Sequence, residues 1–531
     1  LDLSGDISWA KDKFGIYLFA NRYSTSGYDL SPEAVGPTVS PFYTYTLNSK
    51  VTYKFSSKTD LSLSGRYFNE EQNYQDEVLD ANNEVSAAST VGNIKEWNVN
   101  PVLTHRFSNR LKTIARFYST QYKTESSIYL DGDGSIYYHD DFKQTFTRPE
   151  LNAEYFINDK NTITVGGGTI LESVQTSRYG DSDKRKQQTS YGFFQYEWQP
   201  VQKLNVIAGG RFDHNSIYGS QFSPKLSAQY ELNDRITLKA SAGRGFKAPD
   251  FRQLYLNFNN TAGGGYSVLG TEVVVDRLRE LEAQGKIQTY LYDSALIGEL
   301  EAERSAAINV GGKVKITSRL SLDLNGFYNS INNQIESQPV ALTTNNQTIY
   351  SYRNISRSFT SGFESNFSYN LIKNVSLSLG YQLLYAMDKD VNEAIKNGEV
   401  FARDPNTGAT RRLDKGDYFG LYNRSRHTGN FKIFYSHPVT KWEGSLRVIY
   451  RGKFGVNDIN SNAILDKYDD FVEGYASVNL SVAKTINPGI RLQVGVDNLF
   501  NYTNTTYLPN VPGRLVYGSI GYTFSKNDKS N

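Results

Sequence analysis

The chain has no cysteine, a single methionine and no long apolar run. Without cysteine it forms neither disulfides nor thiolate metal sites. A helical membrane protein needs runs of roughly 18 or more apolar residues, so that class is excluded. Only 38% of the 531 residues are hydrophobic, and the mean hydropathy is −0.52. The net charge of +2 provides no basic footprint, so nucleic acid is not expected as a partner.

Aromatic residues are abundant despite this low hydropathy. They make up 14% of the chain, with 39 Tyr, which is too many for a disordered polar segment. Low hydropathy combined with many aromatics and glycines is typical of a β-barrel whose strands face lipid on one side and water on the other. No shift in composition marks a linker, so one large repetitive architecture is predicted rather than several domains.

Short turns and long connections alternate along the chain. Short turns are predicted at 11–13, 57–59, 108–110, 158–160, 201–202, 233–235, 317–319, 373–374, 439–441 and 487–489. Long loops are predicted at 73–93, 124–142, 174–186, 247–299, 331–346, 387–423, 456–469 and 502–512, with one short connection, 216–220, on the long-loop side. Tight periplasmic turns and extended extracellular loops are typical of an outer-membrane barrel.

The segments between these connections alternate in polarity over ten or more residues. Leu377, Leu379 and Leu383 share one face of a strand, and Ser376 and Ser378 share the other. A soluble β-sandwich also alternates, but its strands are seldom this long. Three of the four tryptophans lie beside short turns, as an interfacial girdle requires. The fold class predicted is therefore all-β, a transmembrane antiparallel β-barrel.

The predicted strand count is odd. From residue 1 we find 21 strands, and the first and the last both run towards the short-turn side. A closed antiparallel barrel needs an even number. We therefore predict 22 strands in the complete protein, with 21 in this chain and the first barrel strand upstream of residue 1. Barrels of 22 strands occur in plugged outer-membrane transporters.

Two motifs resemble those of a known family. Phe246-Lys247-Ala248-Pro249 and the later Leu300-Glu301-Ala302-Glu303 resemble the F-x-A-P and L-x-P-E pair of TonB-dependent outer-membrane transporters, with Ala302 where proline is usual. Near the end, the segment formed by Asp497, Asn498, Leu499 and Phe500, followed by a last strand ending in Phe524, resembles the family's closing segment. Residues 525–531 trail behind Phe524, whereas a terminal aromatic is usual in such barrels.

The resemblance implies an organisation and a function. The barrel would span residues 1–525 with a C-terminal tail at 526–531, and a plug domain and a TonB-contacting segment would lie upstream. The implied protein is not an enzyme and has no cofactor. It would be a multi-pass receptor in the outer membrane of a Gram-negative bacterium, surrounded by outer-membrane lipid. It would take up a scarce iron chelate, either a ferric siderophore or haem, using energy from the TonB complex.

Candidate metal ligands are few. His139 lies in a predicted outer loop, where it is either a haem-iron ligand or an ordinary exposed histidine. Asp131 and Asp133 flank a glycine as in half of a calcium loop, but no complete ligand set follows, which favours an ordinary polar loop. The five histidines show no catalytic arrangement in the sequence.

Two long loops carry the candidate ligand site. The loop 247–299 contains a predicted amphipathic helix with Val274, Val275, Leu278 and Leu281 on one side. This helix either caps the barrel mouth or docks a ligand or a surface lipoprotein. Arginine beside aromatic residues can bind an anionic aromatic chelate by stacking and charge-assisted hydrogen bonds. The candidate ligand-binding residues are Tyr255, Tyr266, Tyr290, Tyr292, Arg403, Arg411, Arg412 and Tyr418.

Other functions fit the same barrel. Cobalamin is the main rival to an iron chelate within energised uptake. A passive pore without a plug and a surface adhesin or assembly scaffold are the alternatives outside it. The presence of a plug and a TonB-contacting segment upstream of residue 1 would distinguish uptake from both.

Overall fold

A computed structural model describes residues 1–32, 37–79, 85–179, 184–260, 266–292, 300–345, 347–460, 462, 464–487 and 489–524. The predicted tail at 526–531 lies outside these residues, as does the middle of the predicted turn at 487–489. None of the described helices has the length and apolar character needed to cross a membrane.

The chain consists almost entirely of strands. In chain order these are β1 Asp2–Lys11, β2 Phe14–Thr25, β3 Phe42–Lys54, β4 Thr59–Leu79, β5 Val85–Arg106, β6 Leu111–Leu130, β7 Ile136–Asn158, β8 Asn161–Thr176, β9 Arg185–Val201, β10 Leu204–Asn215, β11 Gly219–Asn233, β12 Ile236–Lys247, β13 Asn257–Asn260, β14 Tyr266–Leu269, β15 Ile287–Tyr290, β16 Glu303–Thr317, β17 Leu320–Thr343, β18 Thr348–Ile372, β19 Val375–Asp388, β20 Phe401–Arg403, β21 Thr410–Arg412, β22 His427–Ser436, β23 Trp442–Arg451, β24 Phe454–Asn457, β25 Asp470–Val472, β26 Tyr475–Asn487, β27 Ile490–Asp497 and β28 Leu515–Tyr522. The helices are α1 Phe251–Tyr255, α2 Thr271–Ala283 and α3 Lys389–Asn397, and a 3-10 turn spans Ser177–Tyr179.

Among the described residues, twenty-four strands form one sheet, and three of them (β13, β14 and β15) belong to the loop after β12. The other 21 make an antiparallel meander in which each strand pairs with the next one along the wall. Within the described residues, β1 pairs with β2 alone and β28 with β27 alone. Every residue of β1 and β28 is exposed. The predicted count of 21 wall strands, with the gap between the first strand and the last, is confirmed.

The register assigns the two faces of the wall. Opposite residues of an antiparallel pair share a face. Leu324 pairs with Ser365 and Leu322 with Phe367, and Phe367 pairs in turn with Leu379. These positions form an apolar face. The alternate positions are polar, including Asp323, Asn325, Glu364, Asn366 and Gln382. In a transmembrane barrel the apolar face is the outer one, so the polar face lines the interior.

Aromatic girdles border the apolar outer face. At the short-turn end Trp9, Trp198 and Trp442 are exposed beside their turns. At the long-loop end Tyr328 stacks on Phe359 with ring centroids 5.8 Å apart. Rings with an apolar body and a polar edge favour the boundary between hydrocarbon and water, which fixes the height of the barrel in its membrane.

Several predicted loops are instead continuations of strands. Strands β4 and β5 stay paired as far as Leu79 and Val85, although a loop was predicted at 73–93. The predicted loops at 124–142 and 331–346 are likewise mostly hairpin. The β4–β5 extension carries mostly polar residues on both faces, and the β17–β18 extension contains register shifts and buries Val340 and Ile349 against α2. Without alternating hydrophobicity, the sequence carried no strand signal there.

The loop helices agree only partly with expectation. The predicted helix is α2, and its Val274 and Leu278 are fully buried against Val340 and Ile349 of the β17–β18 hairpin. The sequence did not predict helices α1 and α3. The local signals for α3 were Asp388, which caps its first turn, and Gly398, which ends it at a φ of 77°.

Candidate ligand site at the long-loop end

The two halves of the first motif are adjacent in the structure. Lys247 at the end of β12 pairs with Glu303 at the start of β16, and Lys247 Nζ lies 3.3 Å from Glu303 Oε1. The same carboxylate oxygen accepts a hydrogen bond from the backbone N–H of Ile335 at 3.0 Å. The long loop from 248 to 302 therefore leaves and re-enters the wall at one point.

Two local devices hold the ends of this loop. Asp250 caps α1, accepting from the backbone N–H of Gln253, while the Gln253 side chain accepts from the backbone N–H of Asp250. At the other end, the side chain of Asn354 accepts from the backbone N–H of Glu301 at 2.8 Å and donates to its carbonyl at 2.9 Å. Ala302, where the family usually has proline, is buried. Both ends of the loop are therefore fixed in position.

The first part of the loop folds towards the barrel interior. Phe251 and Leu256 pack with Val174 of β8, and Phe142 of β7 contacts the same cluster. Val174 lies opposite Gln144 and shares its face with Glu172, so these strand positions point inward. The α1 segment therefore lies over the inner side of the wall at the long-loop end.

Arginines and aromatic rings meet beneath α1. The guanidinium of Arg185 lies 4.6 Å from the centre of the Tyr255 ring, and that of Arg178 lies 5.5 Å from the centre of Phe258. Arg178 also forms an ion pair with Asp140 at 2.7 Å. The Nε atom of Arg185 is buried without a hydrogen-bond partner in the described part of the chain. We call Arg178, Tyr179, Arg185, Tyr255 and Phe258 the mouth site.

The phenols of the mouth site remain protonated at neutral pH. Burial raises the pKa of Tyr179 to about 12. Burial also raises the pKa of Tyr255, and the carboxylate of Glu272 adds to the effect. Each hydroxyl therefore keeps its proton and acts as a hydrogen-bond donor, as the neighbouring guanidinium groups do.

Below the mouth site the inner wall continues as a polar network. The guanidinium of Arg211 lies 3.7 Å from the centre of the Tyr191 ring and forms an ion pair with Asp213 at 2.6 Å. The Tyr191 hydroxyl donates to Glu150 at 2.6 Å. Arg148, opposite Tyr118 on the inner face, has a buried Nε with no hydrogen-bond partner among the described residues. A polar ligand passing inward would meet further donors there.

The other predicted tyrosines of this loop lie around the β17–β18 hairpin. Tyr266 packs edge-on against Tyr350 at 6.4 Å, beside an open cleft of about 490 Å³. Tyr290 donates to Glu282 at 3.0 Å. The ring of Tyr292 lies 3.4 Å from the guanidinium of Arg353. The structure thus places Tyr255 in the mouth site, Tyr266 at an adjacent cleft, and Tyr290 and Tyr292 in contacts that brace the loop.

The second predicted loop lies elsewhere. Arg403 and Arg411 are exposed on the β20–β21 hairpin, whereas Arg412 and Tyr418 line a cavity of about 810 Å³. Tyr418 is buried and its hydroxyl accepts from the backbone N–H of Asp388 at 3.1 Å, and burial raises its pKa to about 12. Strand residues lining this cavity belong to the apolar outer face, so the structure separates Arg412 and Tyr418 from Tyr255. The expected single cluster is not formed.

The candidate metal ligands form hydrogen bonds with neighbouring side chains and backbone groups. Asp131 accepts from Ser89 at 2.7 Å, and His139 Nδ1 lies 2.9 Å from the hydroxyl of Ser127. Asp133 accepts from the backbone N–H of Ser135 at 2.9 Å, and hydrogen bonds from Ser135 lower its pKa. Within the described residues, no group of three or more His, Cys, Asp or Glu side chains could hold a metal ion.

The second motif organises the connection before the last strand. Asn498 has a φ of 50°, a left-handed conformation that asparagine tolerates better than most residues. Its side chain donates to the carbonyls of Tyr502 and Pro512 at 2.7 and 3.0 Å and accepts from the backbone N–H of Tyr502 at 2.9 Å. Asp497 ends β27, the backbone N–H of Leu499 donates to Val478, and Phe500 and Phe524 are exposed.

Comparison with known proteins identifies the family. The model of the family described as TonB dependent receptor-like, beta-barrel matches residues 2–499. The chain belongs to this family. Its members are outer-membrane receptors and transporters, in agreement with the wall of 21 strands.

Individual relatives are distant. The chain is 23% identical over 442 residues to the ferric enterobactin receptor of Pseudomonas aeruginosa, covering 77% of this chain and 52% of that protein. It is 25% identical over 210 residues to the iron-regulated outer membrane virulence protein of Vibrio cholerae, covering 38% and 28%. The chain thus spans about half or less of these relatives' lengths. A solved structure of a ferric enterobactin receptor mutant from P. aeruginosa in complex with enterobactin shares the fold, with a TM-score of 0.72, 15% identity and coverage of 98% of this chain and 78% of that one.

Sequence reasoning missed Arg178 and Arg185. Both flank the connection between β8 and β9, a long loop that the sequence predicted without a ligand role. The available signal was an Arg–Tyr pair and a Lys–Arg pair within that loop. Nothing local showed that the segment formed by α1 and β13, more than 60 residues later, would bring Tyr255 and Phe258 against them.

Proposed function

We propose that this chain is the barrel of an outer-membrane receptor for TonB-energised uptake of a ferric siderophore. Three observations support this. The chain belongs to the TonB-dependent receptor family, the curated relatives include a ferric enterobactin receptor, and the mouth site combines arginine with aromatic rings on the inner side of the wall. The last observation is the main support for the proposal, because it concerns side chains of this chain rather than of its relatives.

The mouth site suits a chelate that is anionic and aromatic. A planar aromatic ligand group stacks on the rings of Tyr255 and Phe258, which already contact the guanidinium groups of Arg185 and Arg178. The free Nε of Arg185 provides a charge-assisted hydrogen bond to a ligand oxygen. Tyr266 at the adjacent cleft extends the contact surface, and the exposed Arg403 and Arg411 attract the anion over a longer distance.

The proposal also includes parts of the receptor that lie upstream of residue 1. A strand upstream of residue 1 closes the gap between β28 and β1, and a plug domain upstream fills the interior of the barrel formed by residues 1–525. The upstream region also contacts the TonB complex, which supplies the energy for transport. Without a plug, the polar inner wall would line an open channel, and accumulation against a gradient would not occur.

Uptake by whole cells tests this function. The full gene is expressed in a Gram-negative host without its own siderophore receptors, and radioactive iron accumulation is followed with a panel of ferric siderophores, haem and labelled cobalamin. We expect accumulation of one anionic aromatic ferric siderophore that stops when tonB is deleted. Accumulation of haem or cobalamin alone would overturn the choice of ligand. Entry that is unaffected by deletion of tonB would overturn energised transport.

A further inference from the structure

A cavity lies on the outer side of the barrel wall. It has a volume of about 810 Å³ and is lined by α3, the segment 412–418, Arg426, the middle of β18 and the end of β19. Its strand residues are Phe359, Ser361, Tyr385 and Met387. None of the mouth-site residues lines it.

The register places these four residues on the outer face. Phe359 pairs with Met387, and Ser361 pairs with Tyr385. Along β18, Phe359 and Ser361 have the same parity as Phe363 and Phe367, which belong to the apolar face. Helix α3 is held against the same face, because Lys389 Nζ donates to the hydroxyl of Ser330, which pairs with Phe359.

The cavity begins where the apolar band ends. Along β17 the outer positions are Leu320, Leu322 and Leu324, then Tyr328 and the polar Ser330. A tilted strand crosses the hydrocarbon in about 9–11 residues, which brings the wall to the level of Tyr328. Phe359 stacks on Tyr328 and borders the cavity, so the cavity opens at the level of the lipid headgroups.

Positive charge dominates the lining. Five cations line the cavity, namely Lys389, Lys396, Arg412, Lys415 and Arg426, against the two carboxylates of Glu393 and Asp414. Glu393 is already paired with Arg357 at 3.0 Å. In the described part of the chain, none of the five cations forms an ion pair.

One of these cations is held in place but incompletely bonded. Arg426 donates to the carbonyls of Tyr418 and Phe419 at 3.2 and 3.3 Å, and its guanidinium lies 4.4 Å from the centre of the Phe419 ring. Its Nε is buried and has no hydrogen-bond partner within the described ranges. A fixed guanidinium with a free donor, beside lysines without counter-ions, is suited to a phosphate group.

We propose that this cavity binds the phosphorylated headgroup of a lipid in the outer leaflet of the outer membrane. The inference rests on the membrane location in the proposed function, but not on the ligand of the mouth site. The phosphate contacts Lys396, Arg412, Lys415 and Arg426, while the acyl chains lie along the apolar wall below Phe359. A soluble phosphate compound would use the same cations but gain nothing from the adjacent wall, which is why the lipid is favoured.

Lipid binding to the full-length receptor tests the site. The protein is purified from outer membranes and delipidated in detergent. It is then incubated with bisphosphorylated lipid A, with fully dephosphorylated lipid A, or with inorganic phosphate. Native mass spectrometry measures the fraction of the protein that carries each ligand. The test variant is Lys396→Gln with Lys415→Gln. The control is Arg279→Gln with Lys286→Gln, which removes the same charge from the loop 248–302 at exposed positions that do not line the cavity.

We expect the test variant to bind bisphosphorylated lipid A about 30-fold more weakly, while the control binds it like the wild type. Equal binding by the two variants would overturn the site, as would equal binding of the dephosphorylated lipid by the wild type. Inorganic phosphate bound as tightly as the lipid would show that the lipid is not the occupant. A heat-modifiable gel shift confirms that each variant is a folded barrel. Siderophore uptake is measured separately. Absence of uptake in that assay would count against the proposed function and not against the lipid site.

Discussion

At the scale of single residues, the mouth site depends on one ring and one guanidinium. Replacement of Tyr255 and Arg185 by alanine removes a stacking ring, about 0.5–1.5 kcal/mol, and a charge-assisted hydrogen bond, about 1.5–3 kcal/mol. We expect the double variant to bind the cognate chelate roughly 30-fold to 2000-fold more weakly, if the losses add. Equilibrium binding to the purified receptor measures this.

Tyr255→Phe is the matched control for the ring. It keeps the aromatic surface over Arg185 and removes only the hydroxyl, so it should retain most of the affinity that Tyr255→Ala loses. Equal losses for the two variants would show that the hydroxyl, rather than the ring, carries the contact. Wild-type binding by the double alanine variant would remove both residues from the site.

Asn498 is a residue whose role is structural. Asn498→Ala removes three hydrogen bonds and leaves alanine at a φ of 50°, where it is strained. Because an unmade buried hydrogen bond costs about 1–3 kcal/mol, we expect a clear fall in the denaturant concentration needed to unfold the barrel. Phe500→Ala, which removes an exposed ring nearby, should shift it far less. An equal shift for both would contradict this role.

Sequence patterns predicted single residues well only where the signal was local. Asn498 and Lys247 belong to short motifs, and the structure places both at points that hold loops in position. Arg178 and Arg185 carried no comparable pattern. Their aromatic partners come from α1 and β13, distant in the chain, so the contact depends on how a long loop folds across the mouth. Arg412 had the expected chemistry but lies on the outer side of the wall.

At the scale of elements, the last strand provides a test of assembly. Val516, Ile520, Tyr522 and Phe524 are exposed and share the parity of the apolar face, opposite Val496 and Leu492 at two of these positions. Phe524→Asp places a charge near the short-turn interface, where the cost to the folded barrel is only about 0–1 kcal/mol. A large fall in the yield of folded barrel is expected, because the terminal aromatic acts as an assembly signal.

The control for this variant is on the adjacent residue. Thr523→Asp introduces the same charge on the other face of the strand and should leave the yield close to that of the wild type. Folded barrel in outer membranes is quantified for both by the heat-modifiable gel shift. Unchanged yield for Phe524→Asp would place the signal elsewhere, and equal loss for both variants would indicate a general effect of charge.

Elements were predictable where one face of the strand meets lipid. The alternation along β19 predicted both the strand and its apolar face. Strands β4 and β5 continue beyond the apolar band as a hairpin that the sequence could not distinguish from a loop, because polar residues occupy both faces there and the hydrophobic periodicity is lost. Helix α3 was missed for a related reason: it is only nine residues long, and most of these residues are polar.

At the scale of the whole molecule, the odd strand count is the firmest inference. Alternating short and long connections gave 21 strands and located the gap between β1 and β28, and the pairing agrees. This was possible because consecutive strands of a meander are neighbours in the sheet, so counting the strands along the chain gives their order in the wall. The arrangement of the long loops at the mouth required tertiary contacts such as those between α1 and β8, and these had no signature in the sequence.

A structure of the full-length receptor with its cognate ferric siderophore tests the central claim most directly. The account predicts density for the chelate on the inner side of the wall, within hydrogen-bond distance of Arg185 and stacked against Tyr255. Density for the chelate confined to surfaces away from α1, with Arg185 and Tyr255 uncontacted, would contradict it.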